Sequence, residues 1–342
     1  MHTLADVSAV RADAEGNIES LETSAGPITG DFYVDCSGLS SLLIGEHYGV
    51  PLSSQRDTLF NDRALALQVP YADPADAIAT TTKATAHHAG WFWDIGLQHR
   101  RGVGAVFSSR HTDQTSVEQA LRTYLRDTGT LADAIEQSPR LIEFEPGYRH
   151  RFWEKNCVAI GLSAGFVEPL EASALVLVEL SARRLAEYIP RLDHNMKSAA
   201  TAFNEEFTGR WQQIIEFLKL HYALSQRTDS DYWREHQSAS SMPAGLATKL
   251  EDWRLRCPWH GDESRVDEMF PAASYQYVLY GMGFSSRVKP SIYRDANIRA
   301  QKARTLHQEV QRQSHQFTQH LPAHRQLLDA VSARGFAERP TQ

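Results

Sequence analysis

The sequence predicts an α/β (α+β) fold in which a strand-rich first half leads into a mainly helical second half, and three observations carry that prediction. As far as about residue 165 the chain is built of short alternating or apolar runs separated by Gly, Asp and Ser, the pattern of strands and turns. From Ser173 onward the apolar residues recur at helical spacing, so helices follow. Between the two lies "GFVEPLEASAL", residues 165 to 175, which puts two carboxylates into a strand-to-helix junction directly after the apolar run "CVAIG".

Taken in order, "NIESLET", "DFYVDCSG", "RALALQVP", "GVGAVFSS" and "NCVAIG" read as strands. "DFYVDCSGLSSLLI" is a half-buried strand ending in Asp35, followed by Gly38 and a helix start, and "NCVAIGLSAGFVEP" is a second strand ending in Gly161 and Gly165. Glycine just beyond a strand lets a ligand approach the backbone, and a helix N-terminus there offers N–H groups to an anion. Taken singly, either junction is also what backbone geometry demands in any α/β protein. Trp91 and Trp93, two residues apart, share one face of a strand, where aromatics ordinarily serve the core. Cys36 reads as a small buried residue. In the helical half Leu175, Val178, Ala182 and Leu185 form one stripe, and Phe203, Phe207, Trp211, Ile214, Ile215 and Leu218 another. The polar segment "RTDSDYWREHQSASSMPAG" reads as a break between helices rather than a domain linker.

Composition narrows the function classes. At 342 residues and 42% hydrophobic, the chain can build one large domain or two ordinary ones. A net charge of −7 without any basic run excludes an electrostatic grip on nucleic acid. Three cysteines, odd in number and far apart, fit neither a disulfide framework nor metal-ligand spacing, which predicts a reducing cytoplasm and no metal site. No apolar run approaches a membrane span, and the first residues lack the pattern of a signal peptide.

In this order, "VDCSG", "GWFWDIGL" and "IGLSAGFVEPLEASAL" resemble the flavin-dependent halogenases of the tryptophan halogenase family. "FLKLHYALSQRTDSDYW", "SYQYVLYGMGF" and "LPAHRQLLDAV" resemble that family's helical part, and Trp91, Trp93 and Ile95 match its WxWxIP signature with Gly96 in place of the proline. The resemblance implies a flavoprotein-monooxygenase-like fold, with residues 1–190 as the remaining part of an FAD-binding sheet domain and 191–342 as a helical substrate-binding part. It implies a chemistry too: FAD, as FADH2, reacts with oxygen to a flavin hydroperoxide, a bound halide ion attacks it, and the resulting hypohalous acid travels through a tunnel to an electron-rich aromatic substrate.

Residue by residue, Glu171 matches the family's catalytic carboxylate, and Ser173 and Ala174 match positions whose backbone N–H groups resemble its halide site. Glu168 and Pro169 match the turn beside the flavin, and Asp35, Gly38, Gly161, Ser163, Ala164 and Gly165 match the rest of its surroundings. Trp91, Trp93 and Ile95 would lie along the tunnel, with His221 and Tyr222 at the substrate pocket. A separate flavin reductase and a small aromatic substrate are the implied partners.

Departures from the family pattern matter as well. Ala172 and Ala174 stand where the family often has Ser and Gly. The opening residues resemble an interior strand pair of the family, the GxGxxG turn is not matched, and none of the seven lysines falls where the family's catalytic lysine belongs. The expectation is therefore an N-terminally truncated chain that is inactive alone and does not retain FAD. In "LEDWRLRCPWHGDESRVDEMF" the residues that hold free tryptophan are not matched, so another indole or a different electron-rich aromatic is the expected substrate. Two other readings stay open: a flavoprotein monooxygenase of the same fold, suggested by the missing proline, and a non-catalytic fragment or scaffold.

Overall fold

The structure, a computed structural model, describes residues 2–262, 269–287 and 295–334. Strands β1 (Val7–Ala12), β2 (Ile18–Thr23) and β3 (Ile28–Thr29) form an antiparallel meander, which contains the expected strand pair at the start of the chain. Next come β4 (Tyr33–Asp35) and β5 (Leu52–Ser54), then β6 (Arg63–Pro70), β7 (Lys83–His87), β8 (Gly90–Gly96) and β9 (Arg100–Phe107). After helices α1 (Gln114–Asp127) and α2 (Ala132–Ile135), β10 (Arg140–Glu143) completes an antiparallel sheet of order β10-β6-β9-β8-β7.

The two faces of this sheet are separated by the period-two alternation of its strands. On one face Leu65, Val103, Phe107 and Phe92 pack against Val117, Leu121 and Leu125, which repeat at intervals of four along α1. Asp113 caps that helix by accepting from the Ser116 N–H, which fixes where it starts. The opposite face carries Trp91 and Trp93 and looks toward the rest of the molecule.

β11 (Gly147–Arg149), β12 (Trp153–Glu154), β13 (Cys157–Ala159) and β14 (Gly165–Phe166) build two smaller sheets. β13 pairs parallel to β4, Val158 opposite Val34, and antiparallel to β12. Both parallel strands end in left-handed glycines, Gly38 and Gly161, each at φ 77°. The Ser163 hydroxyl reaches back across the pair to the Asp35 carbonyl at 2.5 Å. Among the described residues no strand pairs with the second edge of β4, where Val34 is 44% exposed. Cys36 lies just past that edge and is exposed, not buried as its small size suggested.

The remaining elements are helical: α3 (Ser173–Tyr188), α4 (Leu192–Ala223), α5 (Asp231–His236), α6 (Ala244–Trp253), α7 (Ala272–Gly281), α8 (Ala296–His320) and α9 (His324–Arg334). The Phe203 to Leu218 stripe of α4 is buried throughout and shares one core with Phe152, Trp153 and Val158 of the sheets. The stripe expected on α3 holds only in part. Leu185 is buried as expected and Val178 packs against the core, but Ser173, Leu177 and Ser181 take the rest of the inward face while Leu175 is 81% exposed, because the first turns of that face border a cavity where small hydroxyl residues serve. The break expected after α4 is present, yet it holds α5, whose Tyr232, Trp233 and His236 are buried in the aromatic centre of the molecule. No helix of the described residues is long and apolar enough to cross a membrane.

Candidate functional site

The site is built around the turn from β14 into α3. Gly165 is glycine because β11 lies against it: a Cβ there would stand 2.6 Å from the Gly147 carbonyl oxygen. The chain then turns inward at Glu168, which is 3% exposed. Its carboxylate accepts from Trp91 Nε1 at 2.8 Å, from the Tyr222 hydroxyl at 2.7 and 2.6 Å, and from Asn61 Nδ2 at 2.5 Å. Asn61 is itself aimed by the Tyr232 hydroxyl, which donates to its Oδ1 at 3.1 Å. Burial pushes the Glu168 carboxyl up from its ordinary value and the three donors oppose that shift. A cage made of donors fits the ionised form, since a protonated carboxyl would bring one donor too many.

Behind the cage lies a second buried cluster. The His236 ring stacks on Tyr222 with centroids 4.2 Å apart. Its Nδ1 accepts from Lys219 Nζ at 3.0 Å, and Lys219 also donates to Ser241 Oγ at 2.8 Å. Lys219 is fully buried, which lowers it to about 7 against the pull of the Glu168 charge. Burial and the nearby Lys219 likewise hold His236 well below its ordinary value.

Three residues beyond Glu168 the environment reverses. Glu171 and Ala172 are consecutive left-handed non-glycine residues, at φ 67° and 50°, a conformation costing ~1–3 kcal/mol per residue and concentrated at functional turns. Glu171 Oε1 lies 3.0 Å from His221 Nε2, and His221 Nδ1 lies 2.9 Å from the Phe217 carbonyl oxygen. A carbonyl only accepts, so Nδ1 carries a proton, and the Nε2 to Oε1 contact holds a single proton shared between imidazole and carboxylate. Helix α3 starts immediately after, at Ser173, without a side-chain cap. The first N–H groups of α3 therefore face the turn with the positive end of the helix dipole behind them.

Two cavities meet at Trp91. One, of about 540 Å³, runs past Trp93, Ile95, Gly161, Pro169 and Ser173 toward the aromatic face of α4. The other, of about 670 Å³, is bounded by Leu170, His221, Tyr222 and Trp233. Trp91 lines both. On the first side stands the C-terminal end of β13, with Ala159 and Gly161, and strand ends of a parallel pair are where such sheets take ligands. Asp35 is committed locally, accepting from Ser37, Leu43 and Ile44 N–H groups at 2.9–3.0 Å. Ser163 ties the strand ends together and the Ala164 carbonyl accepts from Arg149 N–H. Gly38 keeps open space where a side chain would stand.

A sequence model described as "Tryptophan halogenase" matches residues 1–297. The chain belongs to the tryptophan halogenase family. It is 38% identical over 286 residues to the 7-chloro-L-tryptophan 6-halogenase KtzR of Kutzneria sp. (strain 744), a match covering 82% of this chain and 54% of that one. It is 36% identical to the tryptophan 6-halogenase SttH of Streptomyces toxytricini, over 82% of this chain and 53% of that protein. Among solved structures, the tryptophan halogenase of Shewanella frigidimarina NCIMB 400 superposes with a TM-score of 0.89 at 45% identity, over 97% of this chain and 62% of that one. BrvH, a flavin-dependent halogenase from Brevundimonas sp. BAL3, gives 0.83 at 34% identity, over 96% and 64%. The fold is thus the α/β flavoprotein fold of the halogenase family, and the chain spans about half the length of the curated relatives it matches.

The family's sequence signatures converge in space. Trp91, Glu168, Glu171, Ser173, His221 and Tyr222 surround one turn, whereas Asp35 and Ser163 stay at the strand ends in local bonds. Sequence reasoning missed Asn61, Lys219, Tyr232 and His236. Only Lys219 carried a usable signal: it falls four residues after Ile215, inside a stripe that is otherwise apolar.

Proposed function

We propose that the chain carries the halogen-transfer and substrate-facing part of an FAD-dependent halogenase acting on an electron-rich, indole-type aromatic other than free tryptophan. The observation that carries this reading is the proton-sharing Glu171–His221 pair beside the uncapped start of α3, with Ala172 and Ser173 lining the first cavity and Leu170 and His221 the second.

Residues 1–190 would form part of the FAD domain and 191–342 the substrate-binding part. The open ends of β4 and β13 fit a flavin, with Gly38, Gly161, Ser163, Ala164 and Gly165 offering backbone and Glu168 and Pro169 passing beside the ring system. Asp35 would act by holding its turn. Reduced FAD, delivered by a separate reductase, would supply the oxygen chemistry that oxidises halide. The N–H groups of Ser173 and Ala174 would hold the halide. Trp91, Trp93 and Ile95 would line the passage and exclude the aromatic substrate from the flavin side, and Trp91, Tyr222 and Trp233 would stack the ring in the second cavity. Glu171 would orient the electrophilic halogen and take the proton lost from the ring on Oε2, while the proton already shared with His221 settles on Nε2, leaving an imidazolium and a neutral carboxyl to be discharged to solvent.

The test is to supply reduced FAD, oxygen, bromide or chloride, and indole to the chain alone and to the chain joined to the amino-terminal segment of a longer relative. The expected result is mono-halogenated indole from the joined protein and none from the chain alone. Hydroxylated indole formed independently of halide would establish the monooxygenase reading, and no turnover by the joined protein would establish the scaffold.

A further inference from the structure

Nothing in the halogen chemistry accounts for the Glu168 cage. Glu168 borders only the first cavity and is 3% exposed, its carboxylate accepts from three side chains, and it is backed by a lysine and a histidine that line neither cavity. Burying so polar a group is costly unless it fixes something that matters. What it fixes follows from its partners: one of its donors, Trp91, lines both cavities.

We infer that Glu168 is a positioning residue whose carboxylate, itself oriented by Asn61 and Tyr222, latches the Trp91 indole as the partition between the two cavities. Trp91 enters from β8, where Trp93 packs edge-on against it at 6.4 Å. Without the Nε1 bond the indole would be free to rotate about its side-chain torsions and join the cavities. The bond is charge-assisted, so it restrains the ring more strongly than a neutral acceptor would. The partners come from three other elements: Asn61 from the loop before β6, Tyr222 from α4, and Tyr232, which aims Asn61, from α5. The latch therefore ties the partition to the sheet and to the helical part at once. Its catalytic consequence rests on the reading of the second cavity as the substrate chamber; the latch itself does not.

The experiment is a ¹H–¹⁵N correlation measurement on the full chain, the Trp91 indole signal being the one lost in Trp91→Phe. In the native protein the Trp91 N–H is expected downfield and exchanging on the order of 10²-fold or more slowly than that of exposed Trp259. Glu168→Leu should release it, moving the signal and abolishing its protection while the other indole signals stay in place. Glu168→Gln should rescue protection with an upfield shift, because a neutral oxygen still accepts. An unchanged Trp91 signal in Glu168→Leu, or, if that variant does not fold, in Glu168→Gln, overturns the latch. In a halogenating preparation the same release should raise the amount of oxidised halogen escaping to a scavenger per oxygen consumed, with recovery in Glu168→Gln; an escape ratio equal to native in Glu168→Leu also overturns it. A preparation that halogenates nothing in its native form counts against the proposed function, and the indole signal then decides the latch alone.

Discussion

Glu168 and Glu171 stand on one turn, three residues apart, and the fold treats them in opposite ways. At Glu168 the backbone is not left-handed, the residue is 3% exposed and three donors reach the carboxylate. At Glu171 the backbone is left-handed, the side chain is 36% exposed and a single histidine shares its proton. The difference shows how one short segment divides labour: a buried carboxylate bound by three donors can hold neighbours in place, and a half-exposed one with a single histidine partner can exchange a proton.

The largest effect expected from that division is on chemistry. In a halogenating preparation Glu171→Gln should lower product formation by on the order of 10²-fold or more while leaving the fold and flavin binding intact, read as halogenated indole per unit time. Glu168→Gln should lower it less. Equal losses would erase the distinction between the two carboxylates.

Stability should show the reverse order. Glu168→Leu leaves Trp91, Tyr222 and Asn61 donors facing an apolar group in the interior, at about 1–3 kcal/mol for each unsatisfied group. Denaturant unfolding should therefore place it several kcal/mol below Glu171→Leu, whose site is open to solvent.

The buried cluster behind Glu168 adds a pH dependence. Lys219 sits at about 7 in the folded chain against 10.5 when unconstrained. Between these values the unfolded chain binds a proton that the folded chain refuses, so stability rises with pH from about 7 upward and levels off below it, with a slope of up to ~1.4 kcal/mol per pH unit. Unfolding followed from pH 7 to 8.5 should show that rise in the native chain and a flatter profile in Lys219→Met. An identical slope in both would mean that Lys219 is charged in the fold.

The smallest effect concerns strain. Ala172→Gly should stabilise the chain by ~1 kcal/mol, because glycine accepts a φ of 50° without the Cβ penalty. A loss of stability would show that the conformation is held at no cost.

The elements were largely legible because their signals are local. Alternation marks β6 and β9, and the four-residue spacing of Phe203, Phe207 and Trp211 marks the buried face of α4. Glu171, Trp91 and Trp93 were singled out by motifs that resemble the family's, not by any local periodicity. The cage was not, since Asn61, Trp91, Glu168, Tyr222 and Tyr232 come from five separate stretches that only tertiary packing unites. Periodicity placed Leu185 of α3 correctly but not Leu175, because it cannot tell a helix turn that borders a cavity from one that packs in a core, and residue type alone buried Cys36, which lies past the open edge of β4 and is exposed.

The central claim, that Glu171 and His221 act as one proton-handling unit, is tested most directly by a double-mutant cycle of Glu171→Gln and His221→Gln on the rate of indole halogenation. If the pair shares one proton, either substitution alone should cost nearly as much as both together. Independent losses that multiply in the double variant, or a Glu171→Gln protein that halogenates at the native rate, would contradict the account.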